Sequence, residues 1–293
     1  MIRVSFILLI LLVCGSPALA FNFSIGGLGG GNGDRNSAID IRRIQQGLRL
    51  ISTLIPISDR DEIKLGRGVA ARVINRFGID YNFGATYYLN LLGTTIAQRS
   101  DRPGLPYHFA VLDTDDVNAY ACPGGFVFIT RGALNMVQDE AELAAILSHE
   151  IAHVTERHII KALQHSQMMK IGAQMAADAF TNGGPLFDKM INVATDSLFK
   201  GLKKGDEYNA DQKAVVYLDR TGYDYPAMFD VLNLLNQRRK AGQAKVLSKT
   251  HPSPASRISK LRKAMRKLPL DRPTGIRLRA RFDQRLQIKK SSS

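Results

Sequence analysis

One stretch decides the fold class of this chain: Ser148-His149-Glu150-Ile151-Ala152-His153, an HExxH pattern inside a run of apolar, helix-forming residues. On an α-helix, His149 and His153 lie one turn apart on the same face, where two imidazoles can bind one zinc ion. Glu150, beside the first histidine, can reach a water that the metal activates. The pattern therefore predicts one Zn²⁺ per chain, with His149 and His153 as ligands and Glu150 as general base.

The residues around this pattern also favour a helix. Residues 139–142, Asp-Glu-Ala-Glu, resemble a capping box, and apolar residues recur at core-facing spacings as far as Val154. The alternative is a core helix that carries two histidines by chance. A buried His-Glu-His cluster without a metal would leave polar groups without partners, so the context favours metal binding.

A third metal ligand must come from another part of the chain, because a catalytic zinc has three protein ligands and one position for water. Glu207 is the best candidate, since it lies in an acidic helix start and shares a helical face with Asp211. One carboxylate could bind the metal while the other accepts the free ring N–H of a ligating histidine. Without the upstream HExxH pattern, a solvated acidic helix start would be the preferred interpretation.

The HExxH pattern followed by Glu207-xxx-Asp211 resembles the gluzincin metallopeptidase family that includes the CAAX prenyl protease and the heat-shock protease HtpX. Residues 118–132 are similar to the family's strand and turn before the active-site helix, and residues 250–258 resemble its late His-Pro segment. The resemblance covers roughly residues 40–268 and is strongest to the soluble, secreted branch that includes the periplasmic β-barrel assembly-enhancing protease. Cys122 is one departure, at a position where relatives usually carry an apolar residue.

The resemblance implies a role for each residue of the site. It gives His149, His153 and Glu207 as zinc ligands, Glu150 as general base, and Asp211 as the residue that orients a ligand.

Two later residues are implied with less definite roles. By the resemblance, His251 lies over the metal, where it would stabilise the tetrahedral oxyanion or occupy the open metal position as a self-inhibitory ligand. The alternative is a His-Pro turn residue without metal contact. Arg257 would pair with Asp211 or another active-site carboxylate, or would be an ordinary arginine at a helix start.

The remaining histidines are expected to lie away from the metal. His158 would fall on roughly the opposite face from His149 if the helix continued, and His165 lies further along, so both are predicted to be surface residues. His108 lies in a predicted strand, at a position expected to face outward.

The sequence as a whole predicts an α+β fold, a mostly helical metallopeptidase domain with a small β-sheet beside the HExxH helix. Strands are confined to about 107–130. If 126–129 or 118–121 forms a sheet edge over the cleft, an extended peptide could add to it as another strand, which would favour endopeptidase action on unfolded segments. An ordinary core hairpin is the alternative. Helices are predicted over 59–77, 82–99, 139–163, 167–180, 185–203, 206–219, 226–240 and 254–267.

The first twenty residues predict export from the cytoplasm. Arg3, an apolar run over 6–13 and Ala18-Leu19-Ala20 are typical of a signal peptide that is cleaved after Ala20. The mature chain is expected to be periplasmic or secreted, with peripheral attachment to the outer membrane as a further expectation. Cleavage would leave Cys122 as the only cysteine, and hence no intramolecular disulfide. The predicted divisions are a signal peptide (1–20), a Gly-rich lead-in (21–39), a metallopeptidase domain (40–270) and a basic C-terminal tail (271–293).

Positive charge is concentrated near the C-terminus. Residues 238–290 hold 18 Lys or Arg against two acidic residues, which accounts for essentially all of the net charge of +14. Such a surface could bind an anionic membrane, steer acidic substrates or bind nucleic acid. For an exported chain the membrane surface ranks first and nucleic acid last, with a solvated basic helix as the alternative.

Two functional classes follow from these features. The first is a hydrolase: a zinc metalloprotease that cleaves unfolded or misfolded envelope proteins in protein quality control. The second is an envelope chaperone or assembly-binding factor of the same fold, whose peptidase activity is latent or self-inhibited. Glu150 and three intact ligands favour the enzyme, whereas a blocking His251 would favour the second class.

Overall fold

The computed structural model describes residues 57–166, 173–242, 251–266 and 275–286. The predicted signal peptide and Gly-rich lead-in lie outside these residues. The described segments form helices around one small sheet, so the α+β class is confirmed. The helices are α1 (Asp59–Phe77), α2 (Phe83–Ala97), α3 (Arg131–Met136), α4 (Glu140–Thr155), α5 (His158–His165), α6 (Ala173–Asn182), α7 (Pro185–Lys200), α8 (Lys204–Thr221), α9 (Ala227–Lys240), α10 (Pro254–Ala264) and α11 (Arg279–Leu286).

The sheet has three strands, β1 (His108–Leu112), β2 (Ala119–Cys122) and β3 (Phe126–Thr130), in the spatial order β1-β3-β2. Strand β3 is central, because it pairs in parallel with β1 and antiparallel with β2. The expectation that 126–129 could be a sheet edge open to a peptide is therefore wrong. The 118–121 alternative remains, since β2 lies at an edge and pairs only with β3 among the described strands.

The helix that carries the HExxH pattern, α4, is buried along its whole length from Glu140 to Val154. Its sequence is apolar on nearly every side, which is typical of a helix enclosed by others. The Asp139 carboxylate caps it by accepting from the Glu142 N–H at 3.0 Å, and Glu142 Oε2 accepts from the Gln138 N–H at 2.7 Å. Helices α8, α9 and α2 and strand β2 surround α4, which fixes the orientation of its histidines.

The prediction of one continuous helix over 139–163 is wrong. Helix α4 ends at Thr155, Arg157 adopts a left-handed conformation (φ 55°, ψ 38°), and α5 begins at His158. This conformation is uncommon for a residue other than glycine and needs external support. The support is an ion pair between Arg157 Nε and the buried Glu62 carboxylate at 2.9 Å, together with a hydrogen bond from Arg157 Nη2 to the Ile57 carbonyl at 2.5 Å.

Residues 275–286, in the predicted basic tail, pack on the helical body. The Arg277 carbonyl accepts from the N–H groups of Glu140 at 3.1 Å and Ala141 at 3.3 Å, at the start of α4. In α11, Arg281 pairs with Glu140, and Phe282 and Leu286 are buried. Part of the predicted tail therefore holds the first turn of the HExxH helix. Among the described helices, none combines the length and apolarity that crossing a membrane requires.

Candidate active site

Two histidines of α4 face each other at the centre of the site. His149 and His153 are one turn apart, each about 4% exposed, and their Nε2 atoms lie 3.0 Å from one another. Burial lowers the pKa of His153 well below its usual value and keeps it neutral, the form that binds metals. Both imidazoles therefore direct the same nitrogen to one point.

Helix α8 brings a carboxylate to that point. Glu207, 1% exposed, places Oε2 3.7 Å from His149 Nε2 and Oε1 3.6 Å from His153 Nε2. Ligands bound tetrahedrally to zinc at 2.0–2.1 Å would lie about 3.3–3.4 Å from one another. The observed separations of 3.0, 3.6 and 3.7 Å bracket that spacing, and two imidazoles with one carboxylate are a zinc-binding donor set. These residues fit the ion.

The opposite side of His149 is held by a buried ion pair. Asp211 Oδ1 lies 3.0 Å from His149 Nδ1, so it can accept the ring proton that leaves Nε2 free for the metal. Arg257, from α10, donates to Asp211 Oδ2 at 2.9 Å and to Oδ1 at 2.5 Å. The structure thus places Arg257 against an active-site carboxylate, one of the two positions expected for it.

The pKa values of Asp211 and His149 are set by the opposing effects of burial and of neighbouring charges. Burial acts to raise the pKa of Asp211, but Arg257 outweighs it and holds that pKa well below its usual range. Burial and Arg257 act to lower the pKa of His149, but Asp211 and Glu207 outweigh them and raise it to about 9 in the metal-free protein. Asp211 is therefore ionised and able to accept a hydrogen bond at neutral pH.

His251, a few residues before α10, approaches Glu207 of α8. Its Nδ1 lies 2.6 Å from Glu207 Oε2, which is a hydrogen bond. One ligand atom each from His149, Glu207 and His251 lie within 4.8 Å of one another, so His251 is also close enough to be considered as a metal ligand. Burial acts to raise the pKa of Glu207, but His251 and His149 hold it well below its usual range.

Glu150 lies between two clefts. A cleft of about 320 Å³ is lined by β2, Glu150, His153, Glu207 and His251, together with residues of the α7–α8 connection. A second cleft of about 410 Å³ contains His149, Glu150, His251 and Arg257, and its remaining lining is mostly apolar, including Met136, Met228 and Leu235. Glu150 is 4% exposed, and burial raises its pKa. Because Glu150 lines both clefts, its carboxylate lies where the two clefts meet.

The prediction that His158 is a surface residue far from the metal is wrong. His158 is 2% exposed, and its Nδ1 lies 2.9 Å from Nδ1 of His153. The left-handed turn at Arg157 reverses the chain, so the imidazole returns to the site instead of continuing along α4. His165 and His108 are exposed, as predicted.

The chain is similar in sequence to known metallopeptidases. Residues 86–265 match the model of peptidase family M48. The β-barrel assembly-enhancing protease of Yersinia pestis is 30% identical over 185 residues, which cover 60% of this chain and 38% of the relative. Its namesake from Escherichia coli (strain K12) is 29% identical over 185 residues, with the same coverage of 60% and 38%. The mitochondrial metalloendopeptidase OMA1 of Schizosaccharomyces pombe is 26% identical over 190 residues, covering 64% of this chain and 56% of the relative.

These alignments are partial on the side of the relatives. The chain spans 38% of the length of the two bacterial proteases and 56% of the yeast enzyme, less than two thirds in each case. The matched residues include the HExxH helix, Glu207, Asp211, His251 and Arg257.

Proposed function

The chain belongs to peptidase family M48, and from that premise we propose that it is a zinc-dependent endopeptidase acting on unfolded or misfolded proteins of the cell envelope. The observation that carries the proposal is the convergence of His149, His153 and Glu207 at zinc-binding distances beside Glu150. The names of the relatives, a β-barrel assembly-enhancing protease and a metalloendopeptidase, support polypeptide substrates.

His149, His153 and Glu207 would hold the zinc ion, and Asp211 would keep the His149 ring oriented through Nδ1. When bound, the metal supplies Lewis-acid chemistry: it lowers the pKa of water and polarises a carbonyl. Glu150 takes the proton of the attacking water and delivers it to the leaving amine. Burial favours this role, because it raises the pKa of Glu150 and so makes the carboxylate a better proton acceptor.

Strand β2 offers an edge to which a peptide can add. The Asn118 carbonyl accepts from the Thr130 N–H at 3.0 Å, so in the antiparallel alternation the backbone groups of Ala119 and Ala121 point away from β3. Among the described residues, neither alanine makes a backbone hydrogen bond to an element on that open side. Main-chain pairing there would bind extended segments of varied sequence.

Two features of the clefts support cleavage within a chain. Glu150 lines both clefts, so a substrate chain that crosses the site would place its scissile bond where the two clefts meet. Asn118 lines both clefts, and its side-chain oxygen and nitrogen are buried without a hydrogen-bond partner among the described residues. A peptide amide could satisfy both atoms, since buried polar groups are normally paired.

The test compares the chain from Phe21 onward with its Glu150→Gln variant, both loaded with zinc and with metal content measured. Unfolded casein is the substrate. Wild type is expected to cleave it, and the variant to retain zinc while losing roughly 10²- to 10⁴-fold in rate, because proton transfer is removed and the ligands are kept. Cleavage by the variant at the wild-type rate would contradict the role of Glu150.

A second function, a chaperone or assembly factor with latent peptidase activity, is favoured by one contact. The 2.6 Å hydrogen bond between His251 and Glu207 ties a metal ligand to a residue that borders both clefts. If His251 blocks the site, His251→Ala should raise casein cleavage; if His251 stabilises the oxyanion, the variant should lose activity. Equal metal content in both proteins is the control for this comparison.

The basic C-terminal region supports a further part of the proposal, binding to an anionic membrane surface. Helix α10 has no acidic residue, and Lys260, Arg262, Lys263 and Arg266 at its outer side and end are exposed. Sedimentation with vesicles containing anionic lipid, compared with neutral vesicles at equal salt, tests this binding. Equal sedimentation with both would count against it. The signal peptide and the periplasmic or secreted location stay predictions from the sequence.

A further inference from the structure

His158 is a buried, polar residue that the proposed mechanism does not use. It is 2% exposed, lies at the start of α5, and places Nδ1 2.9 Å from Nδ1 of His153. The two rings are steeply inclined, with centroids 5.0 Å apart and an interplanar angle of 69°. This edge-on approach directs ring nitrogen at ring nitrogen, which is the geometry of a hydrogen bond and not of stacking.

If His153 binds a metal, only one of the two rings can donate the proton in this hydrogen bond. The Nε2 atom of His153 faces His149 Nε2 at 3.0 Å and Glu207 Oε1 at 3.6 Å, so Nε2 is the ligating atom. A neutral imidazole that ligates through Nε2 carries its proton on Nδ1. That proton requires an acceptor, and the atom at hydrogen-bond distance is His158 Nδ1.

His158 can accept only if its own proton is on Nε2. The Asp206 carboxylate lies 3.8 Å from that Nε2, too far for a hydrogen bond but close enough to favour a proton there. The carboxylate therefore selects the tautomer of His158 that leaves Nδ1 as an acceptor. His149 is supported differently, because its Nδ1 meets the carboxylate of Asp211 at 3.0 Å.

We propose that His158 is a positioning residue that accepts the Nδ1 proton of His153 and thereby fixes the tautomer and ring orientation of this metal ligand. The proposal rests on the proposed role of His153 as a zinc ligand. It assigns the two histidines of the HExxH pattern separate supports, a carboxylate for His149 and an imidazole for His153. Outer partners of this kind typically change metal affinity 10- to 100-fold.

The experiment uses two variants of similar shape that differ in hydrogen bonding. His158→Asn retains an acceptor near the position of Nδ1, whereas His158→Leu fills a similar volume without one. Zinc affinity is measured in the full mature chain by competition with a chelator, and the ligand field is followed by the absorption of bound Co²⁺. We expect the Leu variant to bind zinc about 10- to 100-fold more weakly and to show an altered Co²⁺ spectrum, while the Asn variant stays within about threefold of wild type.

His158→Gln is the second control, in case the Leu variant does not fold. Its longer side chain places the amide beyond the Nδ1 position, so we expect it to weaken zinc binding as Leu does. Equal zinc affinity in all folded variants would overturn the proposal, and so would equal weakening by Asn, Gln and Leu, because that would indicate packing alone. If wild type binds zinc and the variants show this pattern of affinities, but wild type cleaves no casein, the result would contradict an active peptidase and leave the role of His158 supported.

Discussion

Replacement of Arg257 by methionine should strongly destabilise the metal-free protein, because it removes the partner of a buried carboxylate. Arg257 is 3% exposed and Asp211 is 1% exposed, and two hydrogen bonds of 2.9 and 2.5 Å join them. Methionine keeps much of the length of the arginine stem and takes away its charge. Asp211 would then be buried with only the protonated His149 ring, 3.0 Å away, to compensate its charge in place of two cations.

Removal of one member of a buried ion pair typically costs about 3–5 kcal/mol. In a domain of this size each kcal/mol shifts the melting temperature by about 2–4 °C, so the expected fall in Tm is about 6–20 °C. Thermal and urea unfolding, followed by far-UV circular dichroism in the presence of a chelator at pH 7, would measure it. Urea midpoints give the free energy of unfolding independently of the thermal value.

Arg131 provides a matched control. Its side chain is 36% exposed and pairs with Asp113 and Asp115 at the surface, where ion pairs contribute little to stability, so Arg131→Met should leave the Tm nearly unchanged. If Arg257→Met proves no more destabilising than this control, the reasoning is refuted. The double variant Arg257→Met/Asp211→Asn should be more stable than Arg257→Met alone, because the buried carboxylate that lost its arginine partner is gone.

The same pair predicts a pH dependence with a definite sign. The pKa of Asp211 is lowered in the folded protein by Arg257, against the opposing effect of burial. Its contribution to stability is therefore present above the unfolded value of about 3.9 and is lost as the pH falls through the lower folded value. The difference in stability between wild type and Arg257→Met should consequently narrow below about pH 4.

Three further substitutions test the packing of α1 against the β2–β3 connection and the support that α11 gives to α4. Gly66→Ala should prevent stable folding, because a Cβ there would lie 1.9 Å from the Pro123 carbonyl oxygen. Gly205→Ala is the control: its Cβ would meet nothing within 4 Å, so the urea midpoint should stay unchanged or rise. Equal urea midpoints for the two variants would contradict the close packing at Gly66. Arg281→Met should cost about 1–3 kcal/mol by urea unfolding, because the fully buried Glu140 would lose its cation, and an unchanged midpoint would mean that α11 does not support α4.

The sequence could predict the parts of the site that depend on local geometry. His149 and His153 face one point because residues four apart share a helical face, and the same spacing places Glu207 beside Asp211. Both relations exist within single helices. The predicted helix 59–77 has the observed bounds for a similar reason, since Ser58 caps it locally and Gly78 follows its last turn.

The parts that the sequence could not supply depend on contacts between distant segments. The left-handed turn at Arg157 contains no glycine, and the ion pair that holds it comes from Glu62, which is distant in the sequence. The apolar pattern of 139–163 therefore predicts one helix where the structure has two. His158 was misplaced as a result. Helix α11 was not predicted, because its few apolar residues, Phe282 and Leu286, lie among arginines, and the acidic partner of Arg281 is Glu140 on α4, far away in the sequence.

The supports of the site come from separate elements, and this separation gives each substitution a distinct effect. Arg257 of α10 pairs with Asp211 and also lies 3.3 Å from His149 Nδ1, whereas His158 of α5 lies 2.9 Å from Nδ1 of His153. Because α4 holds both histidines on a rigid, buried helix, a change in one support need not move the other ligand. Weakened metal binding with unchanged stability would therefore indicate a lost orienting hydrogen bond, whereas weakened binding together with a lower Tm would indicate the broken Arg257 ion pair.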